Sequence, residues 1–186
     1  MKIQDNQKIW FTSDHHFGHS RIIQYSDRPF KNVDEMDCKL VDNWNSLVSP
    51  DDFVFHLGDF TFGGVSAWEN YRNRLNGDIF LIRGNHDRVQ DGQIKHLFKG
   101  VENYLEINVR DSEHSSGWQQ IVLCHYAFRV WNRSHYGSYH LYGHSHGNLP
   151  DDPCSLSFDV GVDCHDYKPI SYSGVKKIME KKNWTK

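Results

Sequence analysis

Short apolar segments recur along the chain and predict β-strands at intervals. The predicted strands are Lys8–Thr12, Phe53–Leu57, Ile79–Ile82, Tyr104–Val109, Ile121–Cys124 and Tyr139–Tyr142, with a weaker one from Leu156 to Val162. Between Val33 and Val48 the apolar residues instead recur at steps of three and four. This spacing predicts an amphipathic helix that ends before Pro50.

Capping signals predict where two helices begin. Asn32 followed by Glu35 has the composition of an N-cap with its reciprocal partner three residues later. Ser66 and Glu69 repeat this spacing and predict a shorter helix that runs through Leu75.

The order of the predicted elements indicates the fold class. Early strands alternate with helices, later strands follow one another through turns such as residues 111–117, and a last helix follows Ser173. We therefore predict an α/β fold, a sandwich of two mixed β-sheets flanked by helices. The chain has 186 residues and contains no repeat or linker, so we expect a single domain over residues 1–186.

Charge and composition exclude several function classes. The formal net charge is −3, from 21 Lys and Arg against 24 Asp and Glu, so we expect no strong binding to duplex nucleic acid. No apolar run is long enough for a membrane span, and the first ten residues do not form a signal peptide, which predicts a cytoplasmic protein. The four cysteines form no C-x-x-C pair, so we expect them to be reduced.

Five predicted strands run directly into short loops rich in Gly, His, Asp and Asn. The loops contain Asp14-His15-His16, Gly58-Asp59, Gly84-Asn85-His86-Asp87, His125 and Gly143-His144-Ser145-His146. Because ligands bind beyond the carboxyl ends of strands in α/β sheets, we expect the five loops to converge at one edge. Imidazole is the commonest metal ligand, and the chain has 13 His, so the pattern predicts a metal centre.

These blocks resemble the signature of the calcineurin-like metallophosphoesterases, which is D-x-H, G-D, G-N-H-D/E, H and G-H-x-H in that order. The resemblance covers residues 10–146, and the surrounding sequence is similar to a compact bacterial and phage branch of the superfamily. It implies a sandwich of two mixed sheets and an enzyme that hydrolyses phosphoric esters with bound metal ions.

The donor count predicts two metal ions. Seven nitrogen and oxygen donors exceed what one ion needs when a water position stays open, and two ions that share a carboxylate would use them all. Mixed donors without thiolate suit Mn²⁺, with Fe, Zn²⁺, Ni²⁺ or Co²⁺ as alternatives. The resemblance implies that one ion is held by Asp14, His16 and His146, the other by Asn85, His125 and His144, and that Asp59 bridges them.

His86 is the candidate general acid. The metal centre would supply a bridging hydroxide for in-line attack on phosphorus, and His86 would protonate the departing alkoxide. We expect Asp87 to orient the His86 imidazole, with a loop or helix cap as its alternative role. The candidate substrate contacts are His19, Arg28, Arg129 and Arg133, each of which has an ordinary surface role as its alternative.

The sequence leaves the substrate open within one class of reaction. A phosphodiester, nucleotide-like or a small molecule, is favoured because a general acid helps a poor leaving group depart. A phosphomonoesterase, such as a nucleotide or protein phosphatase, and a nuclease are the alternatives on the same metal site. We expect residues 127–138 to form a wall of an open pocket, and Tyr126 and Trp131 either to stack on a base or to pack in the core.

Overall fold

The computed structural model describes residues 1–4 and 8–185, which form ten β-strands and five α-helices. The strands are β1 (Lys2–Ile3), β2 (Ile9–Thr12), β3 (Phe53–His56), β4 (Asp78–Ile82), β5 (Gly100–Glu102), β6 (Tyr104–Arg110), β7 (Trp118–Cys124), β8 (Tyr139–Tyr142), β9 (Ser157–Asp159) and β10 (Ile170–Ser171). The helices are α1 (Ile22–Tyr25), α2 (Val33–Asn45), α3 (Val65–Arg72), α4 (Asp91–Ile94) and α5 (Tyr172–Met179).

The strands form two five-stranded sheets, and both are mixed. Sheet I has the order β10-β2-β3-β4-β5, in which β2 to β5 are parallel and β10 is antiparallel to β2. Sheet II has the order β1-β6-β7-β8-β9, in which β6 and β7 form an antiparallel pair and the other neighbours are parallel. The predicted fold, an α/β sandwich of two mixed sheets with flanking helices, is confirmed.

Sheet I is buried on both faces because helices cover one face and sheet II covers the other. Side chains alternate along each strand, so Val54 packs with α2 and α3 on the outer face while Phe55 belongs to the core between the sheets. On β4, Leu81 and Ile82 divide in the same way. This double burial explains why the sheet I strands read as continuous apolar runs.

Helix α2 begins as predicted but ends earlier. The Asn32 side chain accepts a hydrogen bond from the Glu35 amide at 2.9 Å, which confirms the N-cap. The helix ends at Asn45 rather than Val48, and just after it the Ser46 hydroxyl donates to the Asn43 carbonyl at 2.8 Å. As a result Leu47, which the pattern had assigned to the apolar stripe, is exposed.

The predicted start and end of the next helix are wrong. Helix α3 begins at Val65 with Gly64 as its N-cap, and no side chain caps it, so Ser66 lies inside the first turn. It ends at Arg72 rather than Leu75, and the Arg72 guanidinium donates to the carbonyls of Leu75 and Gly77 at 2.8 Å. These bonds occupy carbonyls in the turns that follow the helix.

The remaining differences are at short elements. Sequence analysis missed β1, β5, β10, α1 and α4, which have two to four residues each and produce no periodic pattern. The last helix exists as predicted, and its N-cap is Ser171, whose hydroxyl accepts from the Gly174 amide at 3.2 Å. In the described part of the chain, no helix combines the length and apolar character that a bilayer span requires.

His140 is a buried histidine on β8 that forms hydrogen bonds with β7 and with the loop that follows β7. Its Nδ1–H donates to the Val122 carbonyl at 3.1 Å, and its Nε2 accepts from the Phe128 amide at 3.1 Å. Nε2 also lies 3.2 Å from the Tyr126 carbonyl, so the hydrogen bonds are compatible with either protonation state and burial favours the neutral imidazole. Burial lowers the pKa of His140 to about 4.

We expect His140 to make stability depend on pH. Its folded pKa is below the unfolded value of about 6.5, so the unfolded chain binds the proton first and stability falls as pH drops from about 6.5 towards 4. At pH 5 the loss is about 2 kcal/mol relative to pH 7.5. Urea unfolding of the chelator-treated protein at both values should show a smaller pH difference for His140→Gln than for the wild type. The same substitution at exposed His135 is the control, and an equal reduction there would contradict the assignment.

Candidate metal centre

The loops after β2, β3 and β4 of sheet I meet the loops after β7 and β8 of sheet II at one edge of the sandwich. They bring potential ligand atoms into two groups, in each of which the atoms lie within 4.8 Å of one another. The groups are Asp14, His16 and His146, and Asp59, His125 and His144. Each group combines side chains from both sheets. The seventh predicted ligand, Asn85, joins the second group, because its Oδ1 lies 3.0 Å from Nε2 of His125.

Asp59 lies where the two groups meet. Its Oδ2 is 3.5 Å from Nε2 of His16, which belongs to the first group, and 3.5 Å from Nε2 of His125, which belongs to the second. The side chain is only 2% exposed. One carboxylate oxygen therefore faces an imidazole nitrogen of each group.

Backbone strain is concentrated at the ligands. Among the described residues, nine that are not glycine have a positive φ, and five of these nine are predicted ligands. The five are Asp14 (φ 59), His16 (52), Asp59 (54), His144 (68) and His146 (47). Side chains disfavour this conformation, so it persists only where the surroundings enforce it, and such strain is typical of functional sites.

The glycines of the blocks are required by close backbone approach. A Cβ on Gly84 would lie 2.2 Å from Oδ1 of Asp59, and one on Gly143 would lie 2.5 Å from Oδ2 of Asp14. A Cβ on Gly58 would lie 2.6 Å from Nδ1 of His125. The loops can therefore bring their ligands together only if these positions carry no side chain.

The buried polar atoms of the site fit bound cations. Oδ1 of Asp14 and both ring nitrogens of His16 are buried without a hydrogen-bond partner in the described residues. Burial raises the pKa of Asp14 well above its ordinary value, because the nearby His146 and the hydrogen bond from Ser13 only partly offset the cost of a buried anion. Burial also lowers the pKa of His16, which keeps the imidazole neutral and able to donate a lone pair. A divalent ion would satisfy these atoms, and the donors are nitrogen and oxygen only.

Hydrogen bonds orient two of the imidazoles. Nδ1 of His125 donates to the Leu57 carbonyl at 2.7 Å, which leaves Nε2 to face Asp59. Nδ1 of His146 lies 2.6 Å from Oδ2 of Asp163. Burial opposes protonation of His146, but this hydrogen bond and the negative charges of Asp14 and Asp163 together outweigh it and raise the pKa of the imidazole. Sequence analysis missed Asp163, whose only signal was its position just after a weak predicted strand.

The three arginines proposed as phosphate clamps are not brought together at the site. Arg28 is buried, and its guanidinium donates to the Asp163 carboxylate and to the carbonyls of Asp14 and His15. Its donors are used by the protein, so it braces the first ligand loop and does not face a substrate. Arg133 precedes β8, at the sheet edge opposite the ligands, and Arg129 is exposed in the loop between β7 and β8.

Asp87 has a different role from the one predicted. Its carboxylate accepts from the backbone amides of Gly84 (2.8 Å), Asp59 (2.9 Å) and Phe60 (2.9 Å). No hydrogen bond within the described residues joins it to the His86 imidazole. Asp87 therefore ties the loop after β4 to the loop after β3, which is the loop-capping alternative. Burial raises its pKa to about 7.

His86 borders an open cleft of about 740 Å³. The cleft is lined by residues 18–21, Tyr25, residues 62–63, His86 and residues 88–89. The expected wall, residues 127–138, does not line it. Trp131 from that segment packs in the core, whereas the exposed ring of Tyr126 lies 4.9 Å from the ring of His144.

His19 lies between the metal site and this cleft. Its ring is 5.5 Å from the ring of His16 and stacks on Phe62 at 4.3 Å. It is the one predicted substrate contact that lines the cleft. Sequence analysis missed the other side chains there, including Arg21, Phe62 and Arg88, because each is an ordinary surface residue in the sequence.

A two-sheet sandwich with two Asp and His groups at the strand ends defines a metal-dependent phosphoesterase. The model of the calcineurin-like phosphoesterase family matches residues 7–163, and the chain belongs to this family.

The chain is also similar to several proteins of known sequence or structure. An uncharacterized protein of Methanocaldococcus jannaschii is 32% identical over 94% of this chain and 93% of its own length. The Gene 66 protein of a Mycobacterium phage is 29% identical over 87% of this chain and 92% of its own length. The crystal structure of a protein of unknown function from Aquifex aeolicus superposes with a TM-score of 0.69 at 26% identity, and covers 93% of this chain and all of that one.

We expect Gly84→Ala to disrupt the site locally. The new Cβ would collide with the Asp59 carboxylate, so Mn²⁺ affinity should fall at least tenfold, as for changes in residues that support a ligand. Titration calorimetry measures the affinity, and far-ultraviolet circular dichroism checks that the sheets remain.

Gly92→Ala is the matched control, because nothing lies within 4 Å of a Cβ at this position in α4. We expect wild-type Mn²⁺ affinity for this variant. Full Mn²⁺ affinity in Gly84→Ala would show that the close approach is not needed.

Proposed function

We propose that the protein is a binuclear phosphodiesterase that uses two divalent ions, with Mn²⁺ favoured, and His86 as general acid. The observation that supports two ions is the position of Asp59, whose Oδ2 is equally distant from an imidazole nitrogen of each ligand group. Asp14, His16 and His146 would hold one ion, Asn85, His125 and His144 the other, and Asp59 both. Bound there, the ions would activate water at neutral pH and neutralise charge on the phosphate oxygens.

The chain's own contribution is a rigid set of ligands and a proton donor. The amides of Asp14 and His16 donate to the carbonyls of Gly58 and Asp59 at 3.0 Å, which fixes the first ligand loop against the second. The His144 amide donates to Oδ2 of Asp14 at 2.9 Å and ties in the loop after β8. Such preorganisation places the reacting groups without reorganisation during the reaction.

His86 has the position that a general acid needs. Its amide donates to Oδ1 of Asp59 at 2.9 Å, which fixes the residue beside the shared carboxylate. Its half-exposed ring is 5.3 Å from the ring of His16, and no described residue forms a hydrogen bond with the imidazole. The ring is therefore free to pass a proton to the leaving oxygen while water adds to phosphorus.

A phosphodiester is favoured because its single negative charge needs fewer cationic side chains at the metal groups than the dianion of a monoester does. A monoesterase and a nuclease stay as alternatives on the same site. Hydrolysis of bis(p-nitrophenyl) phosphate and p-nitrophenyl phosphate, with Mn²⁺ and with chelator, tests the proposal. We expect metal-dependent turnover with higher kcat/KM for the diester. A preference for the monoester would establish a phosphomonoesterase instead.

Asp59→Asn should weaken the binding of both ions, because one carboxylate faces both ligand groups. We expect Mn²⁺ titration to change from two ions per chain in the wild type to weaker binding at both sites, with little remaining diesterase activity. Asp51→Asn, which alters an exposed carboxylate, is the control and should keep both ions. Two tight ions in Asp59→Asn would contradict the bridging role.

His86→Ala should separate acid catalysis from metal binding. We expect both ions to stay bound, with turnover about 10²–10⁴-fold lower on an ester with an alkoxide leaving group. The loss should be much smaller with a nitrophenolate leaving group, which departs without a proton.

His96→Ala, at an exposed histidine outside the cleft, is the control for His86→Ala and should leave both rates unchanged. Equal losses on the two esters in His86→Ala, or depleted metal, would assign His86 a structural role.

A further inference from the structure

The cleft beside His86 carries two guanidinium groups that the protein does not use. Among the nine arginines, those at 28, 72 and 83 donate to protein oxygens, and those at 74, 110 and 133 lie over aromatic rings. Within the described residues, the guanidinium groups of Arg21, Arg88 and Arg129 form no hydrogen bond or ion pair. Two of these three line this one cleft. No carboxylate lies among the described lining residues, so the cleft is suited to an anion.

The same cleft exposes flat aromatic surface. Phe62 is 51% exposed and Tyr25 is 66% exposed, although aromatic side chains usually bury their faces. Phe62 stacks on His19, whose ring leads back to ligand His16. The aromatic surface therefore begins at the metal site and continues away from it.

The cleft lies where the leaving group of a substrate would extend. It borders His86, so a substrate whose phosphate lies on the metal groups would extend its leaving group into the cleft. The volume of about 740 Å³ is in the range of pockets that take small organic ligands. A leaving group that contacts both the guanidinium groups and the aromatic rings of the cleft would carry a second phosphate and a planar ring.

We propose that Arg21, Phe62 and Arg88 bind a nucleoside phosphate unit on the leaving-group side, which makes single-stranded oligonucleotides the substrate class. The base stacks on Phe62, and the neighbouring phosphate pairs with Arg21 or Arg88. Hydrolysis of an oligonucleotide rests on the proposed diesterase function, whereas binding of the oligonucleotide in the cleft does not. Stacking tolerates any base, so the cleft selects for a nucleic-acid chain and not for a sequence.

Binding to the chelator-treated protein tests the cleft without turnover. The probes are a thymidine trinucleotide, an abasic trinucleotide with the same phosphates, and inorganic phosphate. Titration calorimetry measures the binding of each probe. Arg21→Gln and Arg88→Gln should each weaken both trinucleotides about tenfold and reduce the slope of log Kd against log salt by about 0.7. Phe62→Ala should weaken only the thymidine trinucleotide, by about tenfold, and Phe62→Trp should retain binding.

Turnover by the Mn²⁺-loaded protein gives the second readout. In Arg21→Gln and Arg88→Gln, kcat/KM for the thymidine trinucleotide should fall about tenfold, mainly through KM, and this loss should exceed the loss for bis(p-nitrophenyl) phosphate, which has no second phosphate. Arg110→Gln, at an exposed arginine on the opposite edge of sheet II, should change neither rate.

Three outcomes would overturn the nucleotide site. One is equal losses on both esters in the arginine variants. Another is unchanged trinucleotide binding in all the cleft variants. The third is loss of inorganic phosphate binding in the arginine variants with no effect of Phe62→Ala on the thymidine trinucleotide, which indicates an anion site only. If the wild type hydrolyses neither ester but binds the thymidine trinucleotide through these residues, the diesterase proposal fails and the cleft proposal stands.

Discussion

Two carboxylates, Asp14 and Asp59, are buried where the two sheets meet, and the site is arranged around the need to neutralise them. Burial of a charged group is costly unless a partner compensates it, and Oδ1 of Asp14 has no partner among the described residues. The neighbouring imidazole of His16 also has two unpaired nitrogens. A fold that buries such atoms together stores a cost that bound cations remove, so metal affinity follows from the burial itself.

The same arrangement couples the metal centre to the packing of the sandwich. Each predicted ligand group combines one carboxylate from a loop of sheet I with at least one imidazole from a loop of sheet II. An ion bound in either group therefore links the two sheets at the edge where their hydrophobic core ends. Because binding to the folded state alone stabilises it, metal should contribute to the stability of the sandwich as well as to its chemistry.

The sequence predicted which loops would meet, because polar blocks recur at the ends of successive strands. Each block follows a strand, and parallel strands that end at one edge bring such blocks together without information about distant contacts. The role of Asp87 could not be read in this way, since only the folded chain shows three amides of two loops turned towards its carboxylate. The prediction of Arg28 as a substrate contact failed for the same reason, because its buried partner Asp163 is distant in the sequence. The short elements, among them α1, left no periodic signal, and α1 supplies one side of the cleft.

The site combines a rigid part and an adaptable part, and they differ in how the chain holds them. Predicted ligands such as His16 and Asp59 lie on strained backbone that amide hydrogen bonds and close glycine contacts enforce, so a small change there would displace several neighbouring residues. Arg21, Phe62 and Arg88 lie on exposed loops and in short turns, where the two guanidinium groups form no hydrogen bond within the described structure and the Phe62 ring stacks on His19. Substitution in the cleft should therefore cost little stability and leave the metal site intact. If the cleft binds the leaving group as proposed, substitutions there would change substrate choice and leave the predicted metal ligands in place, since function depends on the site and not on the fold.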